Sequence, residues 1–448
     1  MTMAADKQDK VLNFSSEREQ SRACSSSAER ENNQGKNFLN VPTLRFPEFN
    51  GEWVKYRVSD VLDFYSTNSL SWDQLEYNTD ELQNLHYGLI HVGLPTAVDM
   101  NESILPNIKK EFLPKNYELC KNGDVAFADA SEDTNEVAKA IEFVNLSNRN
   151  VVCGLHTIHG RDNHNLTSVG FKGYAFASES FHNQIRRIAQ GTKIFSISCK
   201  NFTECYIGIP SKEEQTKIAK LLGLIDERIS TQIRIIEKLQ SLMKGLNDYL
   251  QDTVPLSYSL SFTDIGEDYS GLSGKSAEDF GSGKPYITYV SIYANNFVED
   301  DCCGKVSVER NEKQNVVQKG DMLFTLSSET PEEVCYGAVY SGNSTETYLN
   351  SFCFGVRNRE EKVFSPYMAY FFNSSRFRRE VYPLAQGSTR FNLQKSDFLQ
   401  KQFLYPSIED QHRIFEILNA YDNKIKVENR ILAHYQLQKE FLLRNLFI

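Results

Sequence analysis

The sequence predicts an α+β protein: two tandem domains of mixed α/β structure, each followed by a long helix, the two helices pairing as an antiparallel coiled coil with pseudo-twofold symmetry. Three observations lead there. The first is an internal repeat, which resets any fold hypothesis. At an offset of 196, without a gap, residues 190–251 lie over 386–447. Identities include Gln190/Gln386, Gly191/Gly387, Pro210/Pro406, Ser211/Ser407, Gln215/Gln411, Leu222/Leu418 and Asp226/Asp422. The second is a matching patch at offset 197, Gly123-Asp124-Val-Ala-Phe127 over Gly320-Asp321-Met-Leu-Phe324, continued by Glu136-Val137 over Glu333-Val334. The third is an apolar stripe, stepping by three and four, that ends each copy. A unit of about 200 residues is too long for a solenoid repeat, so two copies of a domain-plus-helix module are the simplest account.

In chain order, residues 1–38 hold six basic and six acidic residues among many Ser and Asn, which predicts a disordered tail. A first domain spans 39–207, with Val125-Ala-Phe127 as a short strand and 174–188 as a helix. The central helix spans 208–251. Ser211 can cap its free N–H groups, and Glu214 sits at the capping-box position. Its stripe of Ile218, Leu222, Ile225, Ile229, Ile233, Ile236 and Met243 is close to a heptad seam. The second domain spans 252–406, with strands over 286–292 and 321–325 and a helix over 366–381. The C-terminal helix spans 407–448, opens on Ser407 with Asp410 in place of Glu, and carries Ile414, Leu418, Tyr421, Ile425 and Leu432. Asn429 and Lys439 interrupt its seam, a device that can fix register.

Composition bounds the function. A hydrophobic fraction of 40% with 12% aromatics suffices for packed cores. No apolar run reaches the roughly 18 residues of a spanning helix, and the N-terminus lacks a signal-peptide pattern, so a soluble cytoplasmic chain is expected. Nine cysteines without a C-x-x-C pair, two of them adjacent at Cys302 and Cys303, read as reduced thiols. The net charge of −10 disfavours phosphate contact by the whole chain. Two local segments run the other way. Residues 161–200 and 365–403 each carry six basic residues against two acidic ones, and the recurrence raises them above an ordinary solvated face.

No Walker loop, H-E-x-x-H, G-x-S-x-G or C-x-x-C half-site is present, and nothing resembles an adenine-methyltransferase or P-D…E-x-K nuclease motif. Gly281-Ser-Gly283-Lys284 reads as turn chemistry, lacking the flanking pattern of a phosphate loop. Cys153, His156, His159 and His164 form one local cluster without separated ligand pairs, so no metal is expected. The Gln-Gly loops are stronger candidates. Gln190-Gly191-Thr192-Lys193 and Gln386-Gly387-Ser388-Thr389-Arg390 offer close backbone approach plus amide, hydroxyl and cationic donors, the groups that meet phosphates and base edges. A plain hairpin turn is the competing reading. Ser328-Glu329-Thr330 and Ser131-Glu132-Asp133 could aim a carboxylate at cytosine, or simply close a turn.

These residues resemble a known family, the specificity subunits of type I restriction-modification systems. Pro42-Thr-Leu-Arg-Phe-Pro-Glu-Phe-Asn-Gly-Glu-Trp53 is similar to their opening, and the Gln-Gly loop leading through Pro-Ser-x-x-Glu-Gln into a long helix resembles their alternation of recognition domain and helix. Gly271 to Lys275, Tyr286-Ile-Thr-Tyr289 and Asn350-Ser-Phe352 resemble their second recognition domain, which adds Tyr286 and Tyr289 to the candidate DNA contacts. The resemblance implies a non-catalytic reader of a bipartite double-stranded DNA target. Its helices would set the spacing, methyltransferase subunits carrying S-adenosylmethionine would dock on them, and an ATP-driven restriction and translocase subunit would complete the enzyme. The chain itself then needs no cofactor. Two other classes compete: a coiled-coil scaffold with non-specific DNA binding, and a fused methyltransferase or nuclease, which the missing motifs disfavour.

Overall fold

A computed structural model describes residues 40–79 and 81–448; the tail expected over 1–38 lies outside the described residues. Two five-stranded sheets carry the two units. The first consists of β1 (Asp63–Tyr65), β2 (Ala97–Asp99), β3 (Val125–Ala128), β4 (Ala140–Asn145) and β5 (Thr157–Arg161), in the order β1-β5-β3-β4-β2. The second consists of β6 (Gly266–Ser270), β7 (Phe297–Val298), β8 (Met322–Thr325), β9 (Gly337–Tyr340) and β10 (Cys353–Asn358), in the order β6-β10-β8-β9-β7. Element by element the orders are identical. The pairs are antiparallel except β2 with β4 and β7 with β9, which are parallel in both sheets.

The central strands are buried on both faces, and successive side chains enter different cores. Val125 and Phe127 of β3 pack against Phe176, Phe181 and Ile185, from α1 (Phe171–Phe176) and α2 (Glu179–Ile188). Ala126 and Ala128 join Leu85, Ile90 and Phe143 on the other side. In β8, Met322 and Phe324 face Tyr367, Met368 and Phe377, while Leu323 faces Ile287 and Ile292.

The repeated Gly-Asp precedes a buried ionic fork. Arg161 donates from Nε to Asp124 Oδ1 at 2.9 Å and from Nη2 to Oδ2 at 2.8 Å. Arg357 treats Asp321 alike, at 3.1 and 2.9 Å. Each fork ties the start of a central strand to its neighbour, and the bidentate geometry makes it directional. Arg161, counted among the basic residues of the first segment, is therefore structural.

The repeated glutamine at each helix start also has a physical reason. The long helices are α3 (Lys212–Thr253) and, after α4 (Ser365–Phe371) and α5 (Ser375–Val381), α6 (Ile408–Asn445). Gln215 Oε1 accepts from Ser168 N at 2.6 Å, while Nε2 donates to the carbonyls of Leu166 and Pro210. Gln411 accepts from Phe364 N at 2.8 Å and donates to the carbonyls of Lys362 and Pro406. Both glutamines are buried, so each clamps its helix to its own unit. Ser211 and Ser407 cap as expected. Glu214 does not close a capping box; its carboxylate takes a bidentate pair from Arg45, at 2.8 Å to each oxygen. Arg45 belongs to the Pro42–Trp53 segment, which also bonds the end of α6 (Leu44 N to Asn445 O, 2.9 Å) and sets Trp53 edge-on to Phe171 and Phe447.

The helices, 42 and 38 residues long, run antiparallel. Ile218, Leu222 and Ile225 meet Leu442, Leu446 and unit one's Phe171 and Tyr174. Met243 and Leu246 meet the second core around Ile414 and Leu418. Between these ends Gln232 Nε2 donates to Glu428, at 2.5 Å to Oε2 and 3.1 Å to its carbonyl. These residues are 196 positions apart, so each touches its own counterpart and the pseudo-twofold axis passes beside them. Polar Gln232 thus holds the seam where apolar Ile233 was expected; Ile233 is exposed. Asn429 turns back on its own helix, bonding the Ile425 carbonyl, whereas Lys439 pairs with Asp226 at 2.6 Å. Ile225, Ile236 and Ile425 are buried in the seam, but Ile229, Met243 and Leu432 are half-buried and Tyr421 is exposed. Ile229 and Met243 lie at the rims of the two unit cores, where the helices leave them partly in water. No helix among the described residues is long and apolar enough to cross a membrane.

Replacing Gln215 or Gln411 by Ala strands one backbone N–H and two carbonyls at a buried junction. Each variant is expected to lose about 1–3 kcal/mol of stability, read as a lowered urea midpoint for the full chain.

Candidate nucleic-acid interface

The Gln-Gly loops are hairpin tips. Gln190 and Ser196 exchange backbone hydrogen bonds at 2.9 and 2.8 Å, and Gln386 pairs with Asn392. Gly191 and Gly387 turn at φ of +138° and +136°, where a Cβ would stand 1.9 and 2.0 Å from the carbonyl oxygens of Ile194 and Arg390. Only glycine fits. Hairpin and candidate contact are thus the same object: Thr192, Lys193, Ser388, Thr389 and Arg390 sit exposed on the tips.

The hairpins meet the Ser-Glu turns in space. Phe195 pairs with Ser131, and Phe391 with Ser328, in one antiparallel register in both units. The serines close the turns: Ser328 Oγ accepts from Thr330 N and Ser131 Oγ from Asp133 N, each at 3.2 Å. Ser328 is buried, so its role is structural, while Glu329 faces outward.

In unit two these pieces enclose a cleft of about 390 Å³ lined by Tyr289, Tyr293, Ser327, Ser328, Glu329, Glu333, Asn350, Phe352 and Arg390. Tyr289 donates its hydroxyl to the Ser327 carbonyl at 2.7 Å, and Tyr293 donates to Glu333 at 2.6 Å. Burial raises the Tyr289 phenol above its ordinary pKa, so it is a neutral donor. Phe352 stands exposed on the rim. The lining therefore combines aromatic faces for stacking with hydroxyl, amide, carboxylate and guanidinium groups for base edges and phosphates. Tyr286 is not part of it. It packs on Phe280 in a smaller sheet, over Gly304.

Unit one builds the same frame with other side chains. Leu85 pairs with Cys153 as Ile287 pairs with Leu349, which sets Tyr87 against Tyr289 and His91 against Tyr293. His91 Nε2 lies 2.9 Å from the Ala130 carbonyl and Nδ1 lies 3.7 Å from Glu136, echoing the two tyrosine contacts of unit two. His156 takes the place of Phe352: its carbonyl accepts from Asp129 N as that of Phe352 accepts from Leu326 N. Trp72, His86, Tyr87 and His156 follow ring on ring at 4.3, 4.7 and 5.3 Å. Burial lowers the His86 pKa, keeping its Nδ1 an acceptor for Gly88 N. The repeat pair Glu136/Glu333 was the sequence signal for this frame; His91, His156 and Tyr293 lacked one.

The basic segments divide. Lys172 is buried against Glu142, Arg186 pairs with Glu179, and Arg378 donates to three backbone carbonyls. Arg376 bonds carbonyls, and Arg379, Lys395 and Lys401 pair with Asp252, Asp268 and Glu380. Most of this charge holds the fold. The exposed hairpin cations Lys193 and Arg390 make no ion pair or hydrogen bond among the described residues.

Two units of one sheet topology, each presenting a glycine-pinned hairpin, are joined by an antiparallel helix pair, and comparison finds proteins that share this plan. Residues 263–434 match the model of the type I restriction modification DNA specificity domain. A curated relative, the type I restriction enzyme MjaVIII specificity subunit of Methanocaldococcus jannaschii, is 24% identical over 274 residues, 56% of this chain. The match spans 63% of that relative's length. A structure solved in work on assembly and conformational transition of the type I R-M system superposes with a TM-score of 0.54 at 14% identity, covering 87% of this chain and 96% of that one. The S subunit from M. genitalium covers 91% of this chain and 99% of its own, at 16% identity and a TM-score of 0.49. The second unit and the start of the C-terminal helix thus match the type I restriction modification DNA specificity domain, and the chain is similar to specificity subunits of such systems.

Proposed function

We propose that this chain reads a bipartite DNA target for a type I restriction-modification complex, one half-site per unit, through the hairpin and cleft just described. One observation carries the reading. The same frame occurs twice with different linings, histidines and Trp72 in unit one, tyrosines, Phe352 and Arg390 in unit two. Equal frames give equal docking geometry, and unequal linings give unequal sequences. A scaffold that bound DNA without preference would need phosphate contacts above all, and a chain of net charge −10 with few unpaired hairpin cations is poorly equipped for that.

The paired helices act as the ruler, and their outer surface supplies the docking face. Leu224, Ile235, Leu242 and Tyr249 of α3 and Leu437 and Phe441 of α6 are exposed apolar residues turned away from the seam. Such a stripe suits partner subunits. Methyltransferase subunits on this face would bring S-adenosylmethionine and much of the phosphate contact, and a restriction and translocase subunit would bring ATP hydrolysis. The reconstituted chain and methyltransferase should methylate adenine at one bipartite target, with the chain alone inert. Methylation or cleavage by the chain alone would refute the proposal.

Replacing Lys193 and Arg390 by Ala is expected to weaken DNA binding and reduce the salt slope by about one counterion per lost phosphate contact. If either side chain reads a base instead, discrimination at one half-site should fall by roughly 1–3 kcal/mol. Fluorescence titration across a salt series separates the outcomes. The ruler has its own test. Seven residues inserted after Glu237, and seven after Ala433, preserve the seam and lengthen the pair by roughly 10 Å. The unread spacer should widen by about two or three base pairs while both half-sites persist, as methylome sequencing would show.

A further inference from the structure

Cys120, Cys153 and His159 come from three segments of unit one and converge in its core. All three are buried, and their ligand atoms lie within 4.8 Å of one another. The two sulfurs are 3.6 Å apart. His159 Nε2 lies 2.8 Å from Asp124 Oδ2, the carboxylate already held by Arg161, while His159 Nδ1 is buried without a hydrogen-bond partner among the described residues.

Unit two shows that the fold does not require this cluster. Its backbone equivalents are Val317, Leu349 and Gly355: Val317 N bonds the Thr347 carbonyl as Cys120 N bonds that of Val151, and Gly355 faces Tyr269 as His159 faces Tyr65. There the Asp321–Arg357 fork is completed by the Tyr269 hydroxyl, 2.7 Å from Asp321 Oδ2, whose ring fills the space over Gly355. One unit closes this point with a phenol and aliphatic side chains. The other gathers two thiols and an imidazole with a spare lone pair.

We propose that Cys120, Cys153 and His159 bind a thiophilic d10 cation, zinc(II) or copper(I). Two metal–sulfur bonds of about 2.3 Å at the tetrahedral angle set sulfurs roughly 3.8 Å apart, close to the spacing here. A carboxylate on the far nitrogen is what metal-bound imidazoles ordinarily have. Charge favours zinc. Binding releases the two thiol protons, the dianionic sulfur pair neutralises zinc(II), the imidazole stays neutral with its Nε2 proton on Asp124, and one tetrahedral position remains for water. Copper(I) would accept the three ligands alone but leave a negative charge. The ligand set differs from the local cluster of the sequence: His156 and His164 are exposed and apart, and Cys120, far upstream, supplies the missing separation.

The test is metal content. Full-length chain purified without a histidine tag from zinc-supplemented medium should hold one equivalent of zinc, released by an organomercurial. Cys120→Ser and Cys153→Ser should lose it, and His164→Ala should keep it. Stoichiometric copper in copper-supplemented cells would sustain the site and assign the trigonal ion. Should the serine variants fail to fold, cobalt(II) added to wild-type chain should give thiolate charge-transfer bands. No bound metal under either supplement, with no cobalt–thiolate band and both cysteines alkylated as free thiols on denaturation, would overturn the proposal.

Discussion

The contact between Gln232 and Glu428 fixes the molecule's symmetry. A residue that touches its own repeat counterpart lies at a twofold axis, so the register of the two helices is set where they cross it. A buried polar pair in an apolar seam is a poor source of stability but a good source of register, because a slip by one heptad would strand the buried Gln232 amide, while Glu428 would keep only Lys424 of its own helix. Everything outward follows. With the register set, Ile218 to Ile225 must meet the end of α6, Met243 to Leu250 must meet its start, and the two units stand at opposite ends of the pair.

The units are then held by local devices that repeat almost atom for atom. Gln215 and Gln411 clamp helix to domain, and the Asp124–Arg161 and Asp321–Arg357 forks clamp strand to strand. Departures from the repeat fall on the helices, in the core and around the hairpins. Lys439 pairs with Asp226 at one end of the helices, whereas Asp422, the counterpart of Asp226, is raised in pKa by burial and has Met243 opposite in place of a lysine. At the unit-one positions that match the unit-two cleft, His91 stands for Tyr293 and His156 for Phe352. A duplicated frame with unequal side chains around its hairpins is the physical basis of the proposed reading of two different sequences.

Much of this was legible in the sequence because it depends on period and local chemistry. The gap-free repeat ends in helices, where an insertion would rotate the seam, so the stripe and the Pro-Ser cap survived in register. Gly191 and Gly387 were legible because only glycine tolerates their backbone. The lining beside the hairpins was harder. Tyr87 and Tyr289 fall outside the ungapped alignment, because the loops between strands differ in length, and only strand pairing brings them into correspondence. Charge misled for a related reason: Arg161 and Arg378 look like surface cations in a string of residues, yet one is buried on a carboxylate and the other binds carbonyls. Counting charge cannot see partners that tertiary structure supplies.

On the proposed reading, each unit takes its own half of the target independently, at a distance the helices set. Methylome sequencing of cells expressing the methyltransferase with either of two variants tests this directly. One carries Phe352→Ala and Arg390→Ala, the other Tyr87→Ala and His156→Ala. Each should relax one half of the bipartite motif and leave the other half and the spacer unchanged, with opposite halves affected in the two strains. Loss of both halves together, or a motif without two separable parts, would contradict the account.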